Sequence, residues 1–330
     1  MAALILLTGS RAGGQSLTQE VTATTGVSTD EVGAVGGQMR LFGELESEVR
    51  FYVEGTWATR PGAAAEGAGD TDAFSAAYPY DEQFHLVEAY AERLYRRGAF
   101  LTGIRGGVYR TPFGIHDRGD HAYTGFLRAP LIRYDAYFGL SNNFLEIGVD
   151  IVAGTPAASI EVSLGAPRDI GEAERRSGFD PVVRAQVYRG PFIIGASHMR
   201  SKPYDRRSFA RGDLVFSGID VRWMAGGVQI RGEWITGRPF DSVSTMGWYV
   251  DTMVHRPAMG PVTLVARAED LDYDAGPFSN FLTRYTVGAR VQVTPAVAVQ
   301  LNVLHQPNRL AYESGTTVDV GVTYVLRHVW

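Results

Sequence analysis

The 330 residues include no cysteine. Disulfide frameworks, thiolate zinc sites and cysteine nucleophiles are therefore excluded together. Lysine is almost absent as well: of 31 basic residues only Lys202 is lysine, and the other 30 are arginine. No apolar run reaches the about 18 residues that a membrane-spanning helix requires. Stretches with apolar residues at i, i+3, i+4 and i+7 are scarce, so long amphipathic helices are not expected. The net charge of −5 gives no basic footprint for nucleic acid. The seven histidines, among them His85, His116, His121, His198, His255 and His305, lack metal-ligand spacing. There is no Gly-x-Ser-x-Gly elbow and no phosphate-binding loop. Ser197 and His198 are adjacent, so on a strand they face opposite ways and form no dyad. No catalytic residue, metal site or cofactor is expected.

What is present is alternation with the period of a strand. Ile147, Val149 and Ile151 alternate with Glu146 and Asp150. Ile160, Val162 and Leu164 alternate with Ser159, Glu161 and Ser163. The same pattern recurs near 51–57, 183–187, 228–234, 262–267, 284–292 and 299–303. Short joints rich in Gly and Pro, such as Arg189-Gly190-Pro191 and Thr294-Pro295-Ala296, connect strands within pairs. Longer polar segments, 59–83, 111–143, 167–180, 201–212, 237–244 and 273–280, connect the pairs. Short turns alternating with long loops are the layout of a transmembrane antiparallel up-and-down β-barrel. A soluble antiparallel sandwich or solenoid has the same alternation but would bury its apolar face.

One strand near 38–58, six hairpins near 84–110, 143–165, 181–200, 213–237, 245–272 and 281–305, and a last strand near 315–330 make 14. Weak alternation over 17–28, and a candidate strand within 131–140, leave 16 open. Residues 1–16 read as a truncated signal peptide, 17–37 as a lead-in, and 38–330 as the barrel domain. The chain ends with Val318, Val320, Val322, Tyr324, Leu326, His328 and Trp330 on one face. Tyr324, Leu326 and Trp330 are the expected assembly signal, to be read by a barrel assembly machinery in a bacterial outer membrane, among lipid and lipopolysaccharide.

Residues Val108-Tyr-Arg-Thr-Pro-Phe-Gly114 end one strand and enter the 111–143 loop. They resemble the strand-end motif of the phosphate-selective porin O and P family, and Leu127-Arg-Ala-Pro-Leu131 resembles the loop that follows. The likeness covers roughly 85–155 and the last strand. It implies a porin-like outer-membrane channel. The lysine-rich path of the phosphate-specific members has no counterpart here, so the likeness implies a general channel and not phosphate selectivity.

In a barrel the polar parity faces the lumen. Glu44, Glu46, Glu48, Arg184, Arg222, Arg231, Arg267, Arg284 and Arg290 are the expected wall charges, with Arg200 beside them. They either set a field across a water-filled pore or pair across neighbouring strands. Glu44, Glu46 and Glu48 on one strand face also leave a divalent-ion site open. If the 111–143 loop folds inward it constricts the pore, and Arg110, Asp117, Arg118, Asp120, Arg128 and Arg133 are its candidate residues. The expected function is passive diffusion of small hydrophilic, preferentially anionic solutes, in a single barrel or a homotrimer. A transporter of hydrophobic substrates and a closed structural barrel are the alternatives.

Overall fold

The computed structural model describes residues 16–29, 33–45, 48–59, 83–115, 124–133, 145–168, 176–203, 213–240, 243–274, 276, 280–308 and 315–330. The first strands are β1 (Ser16–Ser28), β2 (Gly33–Leu45), β3 (Val49–Ala58), β4 (His85–Arg97), β5 (Phe100–Arg110), β6 (Leu145–Gly154) and β7 (Ala158–Pro167). A two-residue strand, β8 (Arg176–Ser177), precedes β9 (Asp180–Arg189), β10 (Phe192–Pro203), β11 (Leu214–Ala225) and β12 (Val228–Phe240). The series ends with β13 (Val243–Val254), β14 (Val262–Asp274), β15 (Asn280–Gln292), β16 (Val297–Asn308) and β17 (Gly315–Val329).

Every long strand pairs antiparallel with the next, and β7 pairs directly with β9. β1 pairs with both β2 and β17, so the sheet closes on itself. At that seam Trp330 N–H donates to the Leu17 carbonyl at 2.9 Å, and Thr29 N–H to the Val318 carbonyl at 3.0 Å. β8 lies outside the wall, paired with the end of β10. The barrel therefore has 16 wall strands. Closure leaves no sheet edge whose amides would go unpaired in lipid.

The two faces identify the surroundings. Ile147 and Ile151 are 51% and 45% exposed, while Glu146 and Asp150 on the other parity of the same strand are 0% and 3% exposed. Ile160, Val162, Leu164, Val187, Ile194, Ile219, Leu264, Val287, Leu301 and Val320 continue the outward apolar surface around the wall. A water-soluble sandwich would hide these side chains and expose the carboxylates. The opposite holds here, and strands of 10 or more residues suffice to cross a bilayer when tilted. The chain therefore spans a membrane as a barrel; none of the described helices is long and apolar enough to do so. An arginine replacing Val162, midway along β7, should lower the stability of the bilayer-folded protein by about 2–4 kcal/mol. Urea unfolding from vesicles measures this, and no loss would mean that Val162 does not meet lipid.

Of the 14 strands expected and the 16 left open, the barrel has 16. Segment 17–37 is not a lead-in: its alternating Thr18, Glu20, Thr22 and Thr24 face inward, and it forms β1 and the first part of β2. The expected strand 38–58 is two strands, broken by a turn in which Glu48 adopts φ +64°. The expected loop 237–244 shrinks because Phe240 pairs with Val243. Of the candidate strand 131–140, Leu131–Arg133 is a single 3-10 turn and the rest lies outside the described residues. Residues 1–15 lie outside them too.

Candidate functional site

Antiparallel register places inward side chains of adjacent strands directly opposite one another, close enough for ion pairs. Arg184 Nη2 on β9 reaches Asp220 on β11 at 2.7 Å, across the space beside Gly195. Arg231 on β12 and Arg267 on β14 share Asp251 on β13, at 2.9 and 2.5 Å. Arg284 Nε on β15 meets Glu269 on β14 at 2.6 Å. On the other side Arg105 holds Asp150 at 2.6 Å and Glu161 at 3.2 Å. Arg40 bridges Glu20 and Glu54, and Arg110 bridges Glu54 and Glu88. An ion buried without a partner would be strongly unfavourable, so the pairing is what permits arginine in so crowded an interior.

The crowding comes from the connection between β5 and β6. Its described parts, 111–115 and 124–133, lie inside the barrel. Gly114 N–H donates to Ser197 Oγ on β10 at 3.1 Å and Ile115 N–H to Glu233 Oε1 on β12 at 3.2 Å. Gly114 has φ +60°, and a Cβ there would lie 1.6 Å from Glu233 Oε1, so only glycine allows this approach. The chain then passes β16 and β17: Leu127 N–H donates to Asn302 Oδ1 at 2.7 Å, and Arg128 forks onto Asp319 at 2.6 and 2.8 Å. Arg128 Nη2 also donates to Ser28 Oγ. Next, Arg267 and Arg284 donate to the carbonyls of Arg128 and Ala129, and Leu131 N–H donates to Glu269 Oε2 at 2.6 Å. Phe113, Leu131 and Ile132 fill an apolar layer against Val182, Met199, Leu214, Phe216, Ile235, Tyr249, Leu271 and Leu282. Phe126 packs on Met253 and Val265, with the Arg267 guanidinium 4.1 Å above its ring.

The predicted site residues divide accordingly. Arg110 stands where the loop leaves the wall, paired as described. Arg128 is 3% exposed and committed to Asp319, so it faces the wall and not the lumen. Asp117, Arg118 and Asp120 lie outside the described residues, as does the Arg133 side chain. Arg184, Arg231, Arg267 and Arg284 are inward wall charges, all paired. Arg222, half-buried, faces the Gln186 amide, and Arg290 lies beside Gly125 of the loop. Arg200 is corrected: Met199 occupies the inward parity, and Arg200 is exposed on the outer face with Asp213 at 2.5 Å. The trio Glu44, Glu46 and Glu48 does not share a strand face, because β2 ends at Leu45 and Glu48 belongs to the turn. Glu46 is outside the described residues. Among the described residues no group of three or more His, Asp and Glu is placed to hold a metal. Ser197 is buried inward and His198 exposed outward, as expected of neighbours on a strand. Tyr324 and Leu326 face outward, and Trp330 stacks edge-on against His328, with ring centroids 4.4 Å apart.

The residues missed were Arg40, Glu54, Glu88 and Arg105, which with Arg110 form the charged wall opposite the loop's anchorage. Inward parity was their signal, once β2 and β3 are separated.

The fold is that of the solved porins. The anion-selective porin from Comamonas acidovorans superposes with a TM-score of 0.63 at 12% identity, covering 96% of this chain and 99% of that one. Salmonella typhi OmpF, solved with daunomycin, gives 0.62 at 11% identity, with 94% and 97% covered. The trimer form of in-vitro folded OmpT, an outer membrane protein of Vibrio cholerae, gives 0.60 at 11% identity, with 96% and 100% covered. No protein-family model and no curated protein sequence matches the chain.

Proposed function

We propose that the protein is a porin-like channel of a bacterial outer membrane, through which small hydrophilic solutes diffuse. The observation that carries this is the β5–β6 connection: it is folded into the lumen of a closed barrel and pinned to the opposite wall. Such a loop narrows the passage without sealing it with a separate domain. Its apolar layer sits on β9–β15, which leaves the passage along β1–β7, where cavities of about 780 and 400 Å³ lie, the larger reaching Gln186 and Tyr188 on β9. The constriction is then formed by Arg40 and Arg110 with their carboxylates, and not by Arg128. The two segments that resemble the phosphate-selective porin O and P family, 108–114 and 127–131, fall in the described, anchored stretches of this connection, which supports placing the chain near that family. Passive diffusion with a weak preference for anions fits the wall better than hydrophobic transport, because the inward surface along β1–β7 is mostly polar. Reconstituted protein should show stepwise single-channel conductance in a planar bilayer. Barrels that insert, by heat-modifiable mobility, but never conduct would favour a closed structural barrel.

Assembly into homotrimers and recognition of the last strand by a barrel assembly machinery belong to the same proposal. Replacing Tyr324 and Trp330 with Ser should leave the protein unfolded in the periplasm. Normal insertion of that double variant would remove the assembly role of this face.

A further inference from the structure

Below the level of Arg40 and Arg110, the inner wall of β2–β5 is built in two further rows. In the first, Phe42, Tyr52 and Tyr90 stand opposite one another in register. Their rings are near-parallel, with centroids 6.1 and 5.4 Å apart and interplanar angles of 27° and 19°. The faces at both ends of this stack are covered: the Arg105 guanidinium lies 5.0 Å from the Tyr90 centroid, and that of Arg327 lies 6.0 Å from the Phe42 centroid. Ring edges are what remain toward the lumen, and all three rings line the 400 Å³ cavity. Elsewhere in the interior the large inward apolar clusters are packed beneath the loop. This strip is left uncovered by the described part of the loop.

The second row, nearer the short-turn mouth, reads Glu44, Arg50, Glu92 and Arg105 across four consecutive strands. Charge alternates at each step. Among the described residues, Glu44, Arg50 and Glu92 make no hydrogen bond or ion pair. Glu92 lines both cavities, so they adjoin at this mouth. Each has a size in the range of small-molecule sites, which combine an apolar surface with a few fixed polar groups.

We infer that this mouth is a binding site for a neutral polyhydroxylated solute, a saccharide. Because the signs alternate, an ion of either sign drawn to one charge of the row would lie beside a like charge. A hydroxyl both donates and accepts, so neighbouring hydroxyls satisfy adjacent Glu and Arg at once. The apolar C–H surface of a sugar ring then displaces loosely held water from the aromatic strip. The inference rests on the channel proposal, and it adds a solute class and a location.

The test is current block in planar bilayers with the full chain. A linear glucose oligosaccharide added to either compartment should block single channels reversibly, half-saturating in the millimolar range. Tyr52→Ala and Tyr90→Ala should each weaken the block about tenfold or more, equivalent to about 1.4 kcal/mol. Tyr90→Phe should keep it, and Glu92→Gln, which leaves the rings intact, should weaken it even if a ring variant fails to fold. Conducting channels that the sugar does not block, or that it blocks as strongly in Glu92→Gln and the ring variants as in the unmodified channel, would overturn the saccharide site while leaving the channel standing. So would block by a zwitterionic dipeptide in place of the sugar. Absence of conductance altogether would instead strike the channel proposal, and the site with it.

Discussion

Asp319→Ala should enlarge the channel and weaken the protein at the same time. Asp319 is fully buried and accepts both arms of the Arg128 fork, at 2.6 and 2.8 Å. Removing it takes the carboxylate from a guanidinium that also donates to Ser28 Oγ. Breaking a buried pair in this way costs about 3–5 kcal/mol, most of it the penalty of the orphaned charge. The loop has a cheaper course than burying that charge: the 127–131 segment can leave the wall and carry Arg128 into water. The donations of Arg267 and Arg284 to the carbonyls of Arg128 and Ala129, and those of Leu127 and Leu131 N–H to Asn302 and Glu269, all involve the same short segment and should loosen with it. Single-channel conductance should then rise severalfold and become noisier, and the urea midpoint should fall. Asp319→Asn, which keeps an acceptor, should do both to a lesser degree. Unchanged conductance in Asp319→Ala would show that this segment does not limit the passage.

The same pair shows where sequence reasoning stops. Alternation revealed the wall from β4 onward, because each strand has one apolar and one polar parity and each hairpin ends in Gly or Pro. It showed β1 only weakly, over 17–28, because the outward parity there mixes Gln19, Ala23 and Thr25 with Leu17, Val21 and Val27 and the contrast between faces is small. It merged β2 and β3, although 21 residues are about twice what a tilted crossing strand needs; length was the available clue, with Glu46-Ser47-Glu48 as the polar break. The inward loop was legible as a long segment rich in charge. Which way its arginines point was not. That depends on Asp319, 191 positions away, and on Asn302, neither of which is near Arg128 in sequence. Arg200 failed for a simpler reason: a shift of one residue in the assumed parity exchanges lumen and lipid faces.

Ion preference should follow Arg40 and Arg110. Both are more open to water than the carboxylates they hold. Side-chain exposure is 18% for Arg40 against 10% and 1% for Glu20 and Glu54, and 14% for Arg110 against 1% and 11% for Glu54 and Glu88. A permeating ion therefore meets the guanidinium side of each pair first, even though the charges nearly cancel and the chain as a whole carries −5. Fields are focused where low-dielectric walls approach closely, so these few groups should outweigh the rest of the lumen. The wild-type channel should show a reversal potential displaced modestly toward anions under a salt gradient. Replacing Arg40 and Arg110 together with Gln leaves Glu54 and Glu88 without their described arginine partners and should turn the preference to cations. Raising the salt concentration should shrink both displacements, since the Debye length falls from about 10 Å at 0.1 M to about 3 Å at 1 M. The comparison that decides is Arg128→Gln. Its guanidinium is turned away from the passage, so it should alter conductance through the loop while leaving the sign of the preference unchanged. If Arg128→Gln reverses the sign and the Arg40 and Arg110 double variant does not, the passage runs on the other side of the loop, along β16 and β17.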